Sequence, residues 1–253
     1  NLDFVGKSID DAQGSIVGES IAIERNGNKV NIPYVNLSAY EYNDIKELKL
    51  RSDIVDAGIK GQFKLKLLDV SILHLMHQLI PAYFNMPKVQ LPKEDFVFEV
   101  DLKRPYDVTS LYLPKLQLEP CVGKGSYNSS TQALDFAINN KLIVFDQYEF
   151  KQLRLKANKV KGQQLKMAVD LGHFTDRDFI HTNAIHIESK VYDNSVDYAF
   201  SGIDTGFKIG IQSLGDLQFH NDSIEINLKR VHLSVANDIW RLDSNASALV
   251  VGD

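Results

Sequence analysis

The chain of 253 residues contains one cysteine, Cys121, and one tryptophan, Trp240. A lone thiol forms no internal disulfide and leaves no second sulfur for a zinc site. Cys121 reads as a small buried apolar residue. No apolar run approaches the roughly 18 residues that a membrane-spanning helix needs. There is no block of Lys and Arg either: 28 basic residues stand against 33 acidic ones, for a formal net charge of -5. That balance argues against nucleic-acid binding and against a basic membrane-surface protein. The first ten residues show no basic segment followed by an apolar stretch, so no signal peptide is expected. An initiator Met is also missing, and both ends fall inside strand-like stretches. The expectation is an internal piece of a longer polypeptide.

What the chain does have is alternation with period two. Leu153, Leu155 and Ala157 alternate with Gln152, Arg154 and Lys156. Leu165, Met167, Val169 and Leu171 alternate with polar neighbours, and the pattern returns at Ile185 and Ile187, at Val196, Tyr198 and Phe200, at Phe207, Ile209 and Ile211, and at Ile224, Ile226 and Leu228. Successive strand side chains point to opposite faces, so each run builds one apolar face and one wet face. Short turn signals separate the runs: Asn26-Gly27-Asn28, Lys161-Gly162, Asp193-Asn194-Ser195 and His220-Asn221-Asp222. These residues tolerate the left-handed conformations of tight hairpins. The spacing predicts about 15 antiparallel strands. A sheet that long must twist, curl or close.

One stretch departs from this period. Between Asp69 and Phe84, the residues Ile72, Leu75, Met76 and Leu79 follow helical spacing. Asp69 or Ser71 is the expected N-cap, and Pro81 the stop. Residues 69–95 and 104–120, both containing several prolines, read as inserts in the sheet.

The search for chemistry yields nothing above background. His74 and His77 share a helical face but lack a third ligand. His181 and His186, five apart on a strand, face opposite sides. Gly123-Lys124-Gly125-Ser126 lacks the phosphate-loop spacing and runs into a strand. Asp10, Asp11, Asp53 and Asp56 read as solvated turn carboxylates. The acidic run Phe174–Asp178 lacks a calcium-loop pattern. No enzyme activity, cofactor or metal is expected.

Two blocks carry a family resemblance. Phe4-Val-Gly-Lys-Ser-Ile-Asp-Asp-Ala-Gln-Gly-Ser-Ile16 and Leu48-Lys-Leu-Arg-Ser-Asp-Ile-Val-Asp-Ala-Gly-Ile-Lys-Gly-Gln-Phe63 resemble blocks of the TamB-like (AsmA-like, translocation and assembly module) proteins of Bacteroidetes. The interrupting helix, the strand Phe96–Pro105 and the stretch from Leu118 to Asn128 resemble the same family. The resemblance implies a β-taco, a curled antiparallel sheet with a U-shaped apolar groove. It implies a protein anchored in the inner membrane and crossing the periplasm, and it implies phospholipid transport to the outer membrane. An Omp85-type barrel partner would bind through regions absent from this chain. The expected groove residues are Phe63, Leu65, Phe98, Val100, Phe136, Leu155, Met167, Val169, Ile187, Phe200, Ile209 and Ile226. Two alternatives stand beside this expectation: a scaffold for outer-membrane barrel assembly that works through its sheet edges, and a closed sandwich that binds carbohydrate through exposed aromatics such as Tyr40, Tyr42, Tyr106 and Tyr112.

Overall fold

The computed structural model describes residues 2–251 apart from residues 7, 9, 26, 177–179, 205, 207, 237, 243 and 244. Phe207, Asn26 and the end of the acidic run at Asp178 therefore lie outside the described residues.

Seventeen strands form one sheet. The first five are β1 (Leu2–Val5), β2 (Gln13–Arg25), β3 (Asn28–Tyr42), β4 (Ile45–Ser52) and β5 (Val55–Gln62). A 3-10 turn at Leu65–Leu67 and helix α1 (Leu68–Leu79) follow, then β6 (Asp95–Leu102) and helix α2 (Pro105–Tyr112). Next come β7 (Leu116–Leu118), β8 (Cys121–Asn128), β9 (Ala133–Phe145), β10 (Tyr148–Lys159), β11 (Leu165–Asp176) and β12 (Ile180–Tyr192). The last are β13 (Ser195–Asp204), β14 (Ile209–Phe219), β15 (Ser223–Val235), β16 (Asp238–Leu242) and β17 (Ala246–Val251).

Every register is antiparallel, and almost every strand pairs with its neighbours in sequence. The exceptions follow from the inserts and the chain end. β8 pairs directly with β6 across α2 and β7, and β16 and β17 share one side of β15. Among the described residues the result is a meander in which no register joins β1 to β16 or β17. It is one layer, so the closed-sandwich alternative does not describe it. The exposed surface is 16150 Å², against roughly 11,000 Å² for a compact protein of this mass. The excess is what a sheet with no second layer requires.

Turn chemistry explains the hairpins. Asn43 and Asp44 between β3 and β4, and Asp193 and Asn194 between β12 and β13, all have positive φ. Two consecutive left-handed residues give the turn whose twist matches the flanking strands. Inside β2, Ser20 also has a positive φ of 55°. The alternation slips there: Val30 and Ile32 on β3 pack in one cluster with Val35, although their numbers differ in parity.

Both inserts are helical caps. α1 matches the predicted helix in place but not in detail. Its N-cap is Leu67, with no side-chain cap, and Asp69 sits in its first turn. Ser71 faces inward and donates to Leu67 O at 3.0 Å. The helix buries Ser71, Leu75 and Leu79, while Ile72, expected on the inner face, is 62% exposed. Leu75 and Leu79 form a core with Tyr127, Ala157, Leu165 and Val191, flanked by Phe96, Phe136 and Met167. Asn194 clamps the helix end to the β12–β13 hairpin: its N–H donates to Leu79 O at 3.1 Å, and its side-chain oxygen accepts from Ala82 N at 2.7 Å. His77 is bonded to Phe84 O, which gives it a structural role in the turn that ends α1.

The second expected insert, residues 104–120, contains α2. Pro105 occupies its first turn, where the missing N–H costs nothing. Leu111 and Val108 pack on Val30, Ile32, Ile54 and Val55, at the opposite end of the strands from α1.

Candidate functional site

The registers define an apolar face. Ile16 lies opposite Leu37, Leu37 opposite Leu50, Leu50 opposite Ala57, and Ala57 opposite Val100. The row continues through Gly123, Ile138, Leu155, Val169, Ile187 and Phe200. It crosses eleven strands before reaching Ser213 on β14. A neighbouring row runs Leu48, Ile59, Phe98, Gly125, Phe136, Ala157 and Met167. The Phe98 and Phe136 rings stack at 6.1 Å. Gly125 lies between them in register, and a Cβ there would come within 2.7 Å of the Phe98 ring and 2.4 Å of Asp135 O. The glycine of the phosphate-loop lookalike is thus required by ring packing in a strand.

Of the twelve expected groove residues, eight fall in these two rows: Phe98, Val100, Phe136, Leu155, Met167, Val169, Ile187 and Phe200. Ile226 joins the same face through Leu217, Val196, Val191 and Leu165. Ile209 joins it through the alternation Ile209, Ile211, Ser213 on β14. Phe63 and Leu65 belong to the cap instead of the wall. Phe63 is buried and meets Phe96 edge-on at 6.1 Å. Leu65 lies in the 3-10 turn, where its N–H donates to Asp10 Oδ1. Ile16, Leu37, Leu50, Ala57 and Ile138 extend the wall beyond the expected set. Their alternation could have revealed them, but Gly14, Gly18 and Gly58 dilute the pattern. Apart from the buried Gly123 and Ala157, the wall residues are half-buried, and between α1 and α2 no described element covers them.

A buried acid lies beneath α1. Glu94 is 1% exposed, and neither carboxylate oxygen has a well-formed hydrogen-bond partner. Its backbone is held by Ser129 in both directions. Burial pushes the Glu94 carboxyl above the usual range, only partly offset by Ser71 and the Lys64 N–H. The neighbouring Tyr127 hydroxyl is also raised, by burial and then by Glu94. No alternation or motif marks Glu94, which stands at the edge of a proline-containing insert.

The opposite face carries three hollows. One of about 540 Å³ is lined by Lys156, Lys166 and Lys190 over Ala168 and Ala199. Another of about 440 Å³ contains Lys60, Lys124 and Glu99. A third, of about 230 Å³, is bordered by His186, Arg230 and His232. His186 Nδ1 lies 2.6 Å from Asp170, which raises the imidazole above its ordinary value, with Glu188 adding to the effect.

Among the described residues, no group of three His, Cys, Asp or Glu side chains could hold a metal ion. No described helix is long and apolar enough to cross a membrane. No family model, curated protein or solved structure matches this chain.

Proposed function

We propose that the chain is a lipid-conducting wall: one segment of a bridge-like transfer protein that carries phospholipid across the periplasm from the inner to the outer membrane. The observation that supports this reading is the row from Ile16 to Phe200, apolar but for Gly123, on a face that the described helices cover only beneath α1 and α2. An acyl chain has no polar groups to satisfy, and each buried methylene contributes about 0.8 kcal/mol. A wall of similar side chains at strand spacing offers nearly equal energy at each step, so a chain can slide without a catalytic group. On this reading the sheet is one stretch of a U-shaped groove with headgroups left in water, and an Omp85-type barrel is a partner of the whole assembly.

The test is native mass spectrometry of the purified chain with lipid extraction, repeated on Val169→Asp and Ile209→Lys. Both charges would stand on the apolar face, where an unpaired ion is costly. The proposal expects co-purifying phospholipid that both variants lose while remaining folded. Equal lipid occupancy in folded variants would sink it.

A second reading, a scaffold for barrel assembly, draws on the β17 edge. All six residues of Ala246–Val251 are exposed and none is charged. Native edges are usually blunted by charge or proline, so this one is open to strand addition. Val250→Pro should abolish client-strand pairing, and intact pairing in that variant would remove this reading.

A further inference from the structure

A cation stands on the face of the apolar wall. Leu155, Ala157 and Lys159 share one side of β10 by alternation. Lys159 lies opposite Leu134, which continues the line Phe96, Tyr127, Leu134 across the strands. The residue is only 7% exposed. A lysine is seldom that deep without a partner, because an unpaired ammonium gives up its hydration for nothing. Among the described residues its side chain has neither an ion pair nor a hydrogen bond. It borders a hollow of about 470 Å³ at the end of α1, together with Gln78, Gln132, Gln163 and Gln164. None of these four amide side chains bonds to another described residue. Leu79 borders the same hollow, but its carbonyl already accepts from Asn194 N–H at 3.1 Å. The one carboxylate at the rim, Asp193, is exposed in the β12–β13 turn and forms no ion pair with Lys159.

We propose that this hollow holds the headgroup of a zwitterionic phospholipid, of the phosphoethanolamine kind; the proposal rests on the reading of the wall as a lipid path. Lys159 supplies the charge-assisted bond that a phosphate takes, and the unengaged amides supply further N–H donors. Asp193 repels a second anionic group but suits the ammonium of the headgroup. One buried cation and one exposed carboxylate thus match a zwitterion better than a net anion. Position favours a lipid over free phosphate. Leu79 and Val191, from the core beneath α1, form the apolar side of the hollow. A phosphate at Lys159 leaves its acyl chains against Ala157 and Leu155, on the same side of β10. Along the open wall headgroups stay in water; at the end of α1 one is held.

The test is a titration of the chain with dihexanoyl phosphatidylethanolamine below its micelle concentration, beside dihexanoylglycerol, which has the same chains and no headgroup. Wild type should bind the phospholipid at least about tenfold more tightly than the diacylglycerol. Lys159→Met keeps the stem and removes the charge. It should erase that difference, leave diacylglycerol binding unchanged, and melt no lower than wild type, because an unpaired buried ammonium is gone. Asp193→Asn, which suits the left-handed turn position, should erase the preference of wild type for the ethanolamine over the glycerol headgroup. Equal binding of the two lipids by wild type, or undiminished phospholipid affinity in folded Lys159→Met, would overturn the headgroup site and leave the wall standing. Wild type that binds neither lipid would sink the wall reading and this site with it. Displacement of the phospholipid by inorganic phosphate at equal concentration would assign the hollow to free phosphate and overturn the lipid assignment.

Discussion

Glu94 is the sharpest handle on the α1 cap. The residue is 1% exposed, and neither carboxylate oxygen has a well-formed hydrogen-bond partner, the Ser71 hydroxyl donating to Leu67 O. Burial raises its folded value above the ordinary 4.5. The folded state therefore holds the proton more tightly than the unfolded state. The stabilisation is fully present below the ordinary value and is lost as pH rises through the raised one. Glu94→Gln keeps the shape and removes the titration. At pH 4 the two proteins should melt together. At pH 8 the variant should be more stable by about 1–3 kcal/mol, the cost of an unsatisfied buried polar group, or roughly 3–9 °C for a chain of this size. Hydrogen exchange should place the difference in residues 68–79, with faster exchange in the wild type at pH 8 after correction for intrinsic rates. Parallel pH profiles for wild type and Glu94→Gln would refute the reasoning.

Three further outcomes follow from packing and charge. Leu79→Ala removes a side chain only 3% exposed from the core beneath α1 and should cost about 2–5 kcal/mol in urea unfolding. Gly125→Ala places a Cβ 2.4 Å from Asp135 O and against the Phe98 ring; it should lower the melting temperature by several degrees, as overpacking costs about 1–3 kcal/mol. Asp216 accepts from Lys229 at 2.7 Å, from Asn227 and from Gln218, which holds its carboxyl below the ordinary 3.8. Its contribution is present above that value and is lost as pH falls through the depressed one, so Asp216→Asn should flatten the acid limb of the stability profile measured from pH 5 to pH 2.

The wall was readable in the sequence because strand parity is a local property. Leu155, Val169, Ile187 and Phe200 stand in one row as their alternation requires. The hairpin at Asp193-Asn194 was marked by residues that accept positive φ. Other features depend on long-range packing. Ser20 carries a left-handed φ that its residue type does not announce, and the slip it creates puts even and odd positions of β3 in one cluster. α2 carried a local signal, Pro105 at a first turn, that the surrounding prolines masked. Phe63 and Leu65 continue the apolar pattern of β5, but the chain has already turned into the cap there. Ile72 fits the helical period yet faces out, because Ser71 takes the inward position above Glu94. Lys166 and Lys190 lie 24 residues apart, and their opposition is visible only once the register is known.

The most direct test of the lipid-wall account is photo-crosslinking with a phospholipid that carries a diazirine in its acyl chain, mapped by peptide mass spectrometry. The account predicts adducts on the apolar face of β10 to β13, at Leu155, Val169, Ile187 and Phe200, all lost in Val169→Asp. Adducts confined to the lysine-lined face, or to the exposed edge at Ile239, Trp240 and Leu249, would contradict it.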